Sequence, residues 1–251
     1  MQTDAIILAA GKGTRMNHPE LPKVLVEANG RPVIAYTLDA LAAAGVSDPV
    51  LVVGYKEERV REALGSHRYV RQVEQNGTGS AVRLVEPELG AFDGGIYLAY
   101  GDCPLVTRDT FVALQELLEA NPDAALVVTT GQISSPEERY GRIVRRPDGA
   151  IERIVEFKDA TDEERAITEY NAGPYIVRSP WLWAALRRMQ PSPVTGEYYL
   201  TDIVQFANED GFRVLAHPVA NQEEALGVNT PDELARVARI LQERKEHEAH
   251  D

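Results

Sequence analysis

The chain holds 251 residues, 44% of them hydrophobic, enough to bury one sizeable core or two small ones. Its 39 acidic residues outweigh 26 Lys plus Arg, for a formal net charge of -13; such a surface serves solubility and repels nucleic acid and anionic membranes, so any phosphate site must be a local basic pocket. The single cysteine, Cys103, excludes an intramolecular disulfide and a multi-cysteine metal site, and fits a reducing compartment.

The first apolar stretch, residues 5–10, is too short for a signal peptide and follows Asp4 instead of a basic region. No apolar run approaches the roughly 20 residues that span a bilayer, so a cytoplasmic protein without a membrane partner is expected. AIILA reads as a buried strand. The spacing predicts a helix over 31–44, with Pro32 in its first turn and Gly45 as its stop. PVLVVG (49–54) reads as a second apolar strand and 56–64 as a charged helix. A strand over 69–73 leads to a helix after Thr78. IYLAYGD (96–102) is a third buried strand, 107–120 is helical, and ALVVTT (125–130) is a fourth strand. This βα alternation predicts a parallel sheet with helices on both faces.

The second half changes character. Pro147-Asp148-Gly149 separates two alternating segments and signals a hairpin. A strand is read over 171–178, helices over 181–189 and 199–210, and a strand over 212–217. The last helix starts with Thr230 as N-cap, Pro231 at the first helical position and Glu233 completing a capping box. Leu234, Val237, Ala238 and Leu241 form its apolar stripe; beyond Gln242 it is wholly polar and expected to fray. With no internal repeat and no low-complexity linker, one mixed α/β domain over 1–246 is expected, with a hairpin lobe over the sheet and a polar tail, 247–251. Ligands in such sheets bind outside the carboxyl ends of the strands, which places the loops after Leu8, Gly54 and Tyr100 near one another.

LAAGKGTRM (8–16) carries the first chemical signal. It is not a Walker A loop, because the sixth position from Gly11 is Met16, and it lacks the small residue that a dinucleotide turn needs there. What remains is Gly-x-Gly-Thr-Arg behind a strand, then Lys23 in LPKVL. Glycines let backbone N–H groups approach an anion, and Arg15 and Lys23 can neutralise a polyphosphate; the alternative is a tight βα turn with solvated cations. Asp102 in YGDCPL lies where a carboxylate suits Mg²⁺, or else it caps the helix after Pro104.

LAAGKGTRM and LPKVL, followed in order by EQNGTGSAV, YGDCPL, YGRIVR, IVEFKDA, YNAGPYIV, GEYYLTDI and LGVN, resemble the sugar nucleotidyltransferases. More narrowly, the chain is similar to the uridylyltransferase part of the bifunctional N-acetylglucosamine-1-phosphate uridylyltransferases, from Ala5 to about Arg244. The resemblance implies a Rossmann-like α/β fold with a mixed, mostly parallel sheet. It also implies Mg²⁺ as cofactor and UTP and a sugar 1-phosphate as substrates. Leu8, Ala9, Ala10 and Gly11, with Gly13, match the segment on the nucleotide, and Arg15 and Lys23 match the cations on its phosphates. Gln72, Gly77 and Thr78 match the uracil-recognising positions. Tyr100, Gly101 and Asp102 match the YGD segment, with Asp102 as metal ligand and Asn229 as the second. Gly141, Glu156 and Asn171 match the positions that hold the amino sugar, and Tyr199 and Thr201 fall near the sugar-phosphate site.

Each match has a physical sense and a plain alternative. Gln72 offers a donor and an acceptor to a pyrimidine edge, or is a surface glutamine. Glu156 accepts sugar hydroxyls, or is an exposed strand carboxylate. Asn171 is a ligand or starts a strand, and Asn229 is a ligand or starts a helix. The implied reaction needs no protein nucleophile, in keeping with the lack of G-x-S-x-G and H-E-x-x-H motifs and with five dispersed histidines. His247 and His250 read as solvated.

Three departures stand out. Ala172 occupies a place where the family typically has threonine, removing a hydroxyl from the expected sugar site. MNHPELP (16–22) is one residue longer than usual. These 251 residues hold no hexapeptide-repeat acetyltransferase domain, so neither acetyltransferase activity nor the trimer that domain builds is expected. The rival readings are transfer to another hexose 1-phosphate or from dTTP, and a non-catalytic sugar-nucleotide-binding protein.

Overall fold

The computed structural model describes residues 1–16, 20–133, 135 and 138–248. Its elements in chain order are β1 (Thr3–Ala9), β2 (Glu27–Ala28), β3 (Arg31–Pro32), α1 (Val33–Ala43), β4 (Val50–Val53), α2 (Glu57–Leu64), β5 (Arg68–Arg71), α3 (Thr78–Arg83), α4 (Glu86–Leu89), β6 (Gly95–Tyr100), α5 (Arg108–Ala120), β7 (Ala124–Gln132), β8 (Arg142–Arg145), β9 (Ile151–Val155), α6 (Asp162–Arg165), β10 (Glu169–Arg178), α7 (Ser179–Leu186), α8 (Asp202–Glu209), β11 (Arg213–Pro218) and α9 (Pro231–Glu248).

The central sheet runs β11-β7-β10-β6-β1-β4-β5. β1 pairs in parallel with β4 and β6, β4 with β5, and β7 with β11. The central strands are almost wholly apolar because both faces are covered. Ile6, Val50, Val52 and Leu98 pack under α3, α7 and α8, while Ile7, Leu51, Val53 and Tyr97 pack under α1 and α5. Each such aliphatic side chain, fully buried, contributes roughly 1.5–3 kcal/mol.

One strand departs from the parallel pattern. β10 lies between β6 and β7 and is antiparallel to both. β7 leaves the sheet at its carboxyl edge and the β8–β9 hairpin follows, so the chain re-enters from that edge and runs back without a crossover. Its register shifts between Asn171 and Tyr175. The shift falls at Gly173, with φ +140°, and at Pro174, which has no N–H for a ladder. The hairpin forms where Pro147-Asp148-Gly149 signals it, with Gly149 at φ +86°. It is joined to the main sheet through Arg142, which pairs with Tyr170 of β10.

The helix read over 31–44 begins two residues later, at Val33. Arg31 and Pro32 instead pair with Ala28 and Glu27 in a two-residue ribbon, turned by Asn29 and Gly30 at φ +53° and +76°. Asn-Gly is a strong signal for such a turn, and pairing claims the residues that the helical spacing also fitted. The strand read over 69–73 ends at Arg71, and Val73 is exposed. α9 has the expected cap: Glu233 N donates to Thr230 Oγ1, and Thr230 N donates to Glu233 Oε2. It continues past Gln242 to Glu248, with Arg244 donating to Leu105 O. Of the polar tail, residues 249–251, with His250, lie outside the described residues; His247 Nδ1 sits 2.7 Å from Glu243 O. The lengthened loop, 16–22, includes residues 17–19, which also lie outside them.

A third apolar cluster places the far end of the chain. Met16, Val26, Val33, Leu105 and Val228 pack with Val237 and Ile240 of α9. The start of α9 is thereby held beside the loops that follow β1 and β6. Among the described residues no helix is long and apolar enough to cross a membrane.

Candidate active site

A cleft of about 270 Å³ opens at the carboxyl ends of β1, β5 and β6. The loops after Leu8 and Tyr100 line it as expected, while the loop after Gly54 abuts the first of them without lining the cleft, and the segment after β5 takes that place. Tyr55 N donates to Ala10 O, and Gly101 N donates to Leu8 O. Leu8, Ala9, Ala10, Gly11, Lys23, Gln72, Gly77, Thr78, Tyr100 and Asp102 all line this cleft. Gly13 and Gly101 stand behind it, each for a steric reason. A Cβ on Gly13, whose φ is +63°, would lie 2.6 Å from Lys23 Cβ; one on Gly101 would lie 3.1 Å from Ile34 and Val24. The two glycines let the 23–25 segment press against the sheet edge.

The cations and the oxygen donors meet beside the cleft, where Lys23 and Asp102 line it and Arg15 and Asn229 adjoin them without lining it. The Lys23 ammonium is ion-paired to Asp102 and donates to Asn229 Oδ1 at 2.9 Å, and Arg15 donates to the same Oδ1 at 3.1 Å. β6 ends at Tyr100, so Asp102 stands two residues beyond the strand, in the turn. It does not cap α5, because Thr107 does so, accepting from Thr110 N. Asn229 is not spent on starting its helix either. Its backbone N–H donates to Glu233, which leaves the carboxamide for the cations. Val228 N donates to Asp102 O at 2.8 Å, tying together two segments over a hundred residues apart in the chain.

Two hard oxygens thus converge on a cation, the role that the Lys23 ammonium fills here. That donor set fits Mg²⁺, which takes one or two protein oxygens and leaves its other positions to substrate and water. Among the described residues no group of three or more His, Cys, Asp or Glu could hold a metal ion by itself.

The five sugar-site candidates are absent from this cleft's lining. Asn171 N donates to Gly141 O, and Thr201 Oγ1 donates to Glu156 Oε1 at 3.0 Å. A Cβ on Gly141 would stand 3.6 Å from Glu156 Oε2, so the two positions adjoin. Glu156 is no exposed strand carboxylate: burial pushes its pKa up, and Asp159 and Asp202 add to the effect. Tyr199 pairs with Thr195, at 2.6 Å, rather than with this group. Tyr100 bridges the two regions. It lines the cleft, and burial, with Glu156 and Asp102 nearby, raises its hydroxyl pKa.

The structure adds residues that the sequence reading passed over. Gln75 and Glu197 line the cleft, and Gln75 Nε2 donates to Ala10 O at 2.6 Å. Asn171 Oδ1 and the Tyr175 hydroxyl are buried, and the Tyr175 hydroxyl lies beside the side chains of Asn171 and Tyr100. Gln75 sat within a quoted motif; Tyr175 carried no signal, because an apolar strand disguises a buried hydroxyl. Ala172 packs with Tyr170, Val219 and Ala225, so its side chain belongs to an apolar cluster.

Residues 5–220 match the MobA-like NTP transferase domain. The chain is 44% identical to the "Bifunctional protein GlmU" of Geobacter metallireducens over 245 residues, which are 96% of this chain and 50% of that protein. It is 42% identical to the protein of that name from Heliobacterium modesticaldum, covering 96% of this chain and 52% of that one. The chain therefore spans about half the length of the curated relatives it matches. It also shares its fold with a solved structure, "The Crystal Structure of UDP-glucose pyrophosphorylase complexed with UDP-glucose". The TM-score is 0.77 at 18% identity, over 97% of this chain and 100% of the other. The chain belongs to the MobA-like NTP transferase domain family, and as such it is a nucleotidyltransferase.

Proposed function

We propose that this chain transfers a uridylyl group from UTP to N-acetylglucosamine 1-phosphate, giving UDP-N-acetylglucosamine and pyrophosphate, and that it works in the cytoplasm. The observation that carries the reading is that Lys23 and Asp102 line one cleft with Leu8, Ala9, Ala10, Gly11 and Gln72, while Asn229, which accepts from Lys23, and Arg15, which donates to Asn229, adjoin them. The relatives of half-shared length support the choice of substrates.

A phosphate oxygen of the sugar 1-phosphate attacks the α-phosphorus of UTP in line. One P–O bond forms, the bond to the bridging oxygen breaks, and pyrophosphate leaves with its electron pair. Lys23 and Arg15 offset the negative charge that grows on the leaving group. Asp102 and Asn229 would hold Mg²⁺, which when bound supplies further positive charge to the phosphate oxygens. No protein nucleophile takes part, so the residues act by placing the reactants and by complementing charge.

Glu156 offers Oε2 to a sugar hydroxyl, its other oxygen being taken by Thr201. The Asn171 carboxamide, beside the Tyr175 hydroxyl, offers an acceptor and donors that suit a sugar N–H or O–H group. The test is pyrophosphate release over a grid of nucleoside triphosphates and sugar 1-phosphates with Mg²⁺. UTP with N-acetylglucosamine 1-phosphate should lead. No turnover with any pair overturns the enzyme reading; a preference for glucose 1-phosphate overturns the sugar, and one for dTTP the nucleotide.

A further inference from the structure

We propose that Ser80 sets the hydrogen-bond polarity of the nucleobase subsite by locking the Gln72 carboxamide with its oxygen toward the cleft. The chain then takes pyrimidine nucleotides whose ring N3 carries a proton and rejects those whose N3 is a bare lone pair. This rests on Gln72 being the residue that reads the base.

Gln72 lines the cleft yet is only 6% exposed, so its orientation is set from within. Its Nε2 donates to Gly77 O at 3.1 Å and to Ser80 Oγ at 3.0 Å, which uses both amide hydrogens. Ser80 has one proton to give. It donates that proton to Asn76 Oδ1, with Gly77 O also in range at 2.9 Å, and so shows Gln72 a lone pair. Both neighbours of the Gln72 amine are therefore acceptors. Turning the carboxamide over would set Oε1 against Gly77 O and the Ser80 lone pair, replacing two bonds with two repulsions.

Oε1 is the polar atom left over, and among the described residues no donor engages it. Ser80 itself is fixed on α3, 5% exposed, behind Gly77 at φ +117°, where a Cβ would collide with the Tyr198 backbone. A locked acceptor meets the N3–H of uracil or thymine. Cytosine presents N3 as a second acceptor there, which leaves two desolvated lone pairs facing each other.

The experiment compares kcat/KM for UTP and CTP in the wild type, Ser80→Ala, Asn76→Ala and Gln72→Ala, with thermal unfolding of each. The wild type should favour UTP. Ser80→Ala should narrow the UTP:CTP ratio about tenfold, because one of the two restraints on the carboxamide is lost. Asn76→Ala should narrow it in the same direction, since the Ser80 hydroxyl, having lost one of its two acceptors, can then donate its proton to the oxygen of a turned carboxamide. A general structural defect would slow both nucleotides and leave the ratio alone. An unchanged ratio in folded Ser80→Ala, or in Asn76→Ala should the first variant not fold, overturns the lock. A wild type indifferent between UTP and CTP, or a Gln72→Ala variant that keeps the wild-type ratio, instead overturns Gln72 as the base reader.

Discussion

Gly13 is where loop geometry and charge placement meet, and Gly13→Ala exposes how much the Lys23 seat matters. An alanine Cβ there would lie 2.6 Å from Lys23 Cβ, 3.2 Å from its Cγ and 3.3 Å from its Cα, where ordinary contact starts at 3.4 Å. These atoms belong to the root of the side chain and to the backbone, so no rotamer change relieves them. The two segments must part by about 0.8 Å, and a misplacement of that order costs roughly 10²-fold in rate. Holding φ +63° with a Cβ adds about 1–2 kcal/mol of strain to the folded state. Gly13→Ala should therefore lower kcat for pyrophosphate release by about 10²-fold while unfolding only slightly earlier in urea. A kcat within threefold of wild type would show that Lys23 needs no such seat, and the placement of charge argued above would be wrong.

Asp102→Asn should remove turnover by roughly 10²–10³-fold with an unchanged far-UV spectrum, as loss of one key electrostatic group does; near-normal activity would remove Asp102 from the site. Asp202 is pushed up to about 6 by burial and by Asp159, from an unfolded value near 3.8. Between those pH values the folded state binds more protons than the unfolded state, so stability falls as pH rises through the window. Asp202→Asn abolishes that slope, and its urea midpoint should gain on wild type between pH 4 and pH 7; a constant difference would contradict the shift. Ala172→Thr places a hydroxyl in the cluster of Tyr170, Val219 and Ala225 and should cost about 1–3 kcal/mol. Its sugar preference should not change, and a shift in preference toward N-acetylglucosamine 1-phosphate would show that position 172 reaches the sugar.

Much of this protein was legible as one-dimensional pattern. The apolar runs at 5–9, 50–53 and 96–100 announce strands buried on both faces, because nothing else accommodates Val, Ile and Leu without alternation. Thr230, Pro231 and Glu233 announce the start of α9, since capping is local chemistry within four residues. The Asn29-Gly30 turn was equally local, and it outranks the helical spacing that began at Arg31. The ordered motifs also named the candidate residues.

What the tertiary structure alone decided is which of those residues meet. Periodicity records which face of an element is buried, not its direction or its neighbours. β10 is a strand by its composition, but it is antiparallel because the hairpin returns the chain at the carboxyl edge of the sheet. Asp102 and Asn229 come together because the cluster of Met16, Val33, Leu105, Val228 and Val237 seats α9 against the loops after β1 and β6. Ser80 acquires a role only once α3 brings its hydroxyl to the Gln72 amine. Each outcome depends on packing between segments remote in sequence, which is why no local pattern carries it.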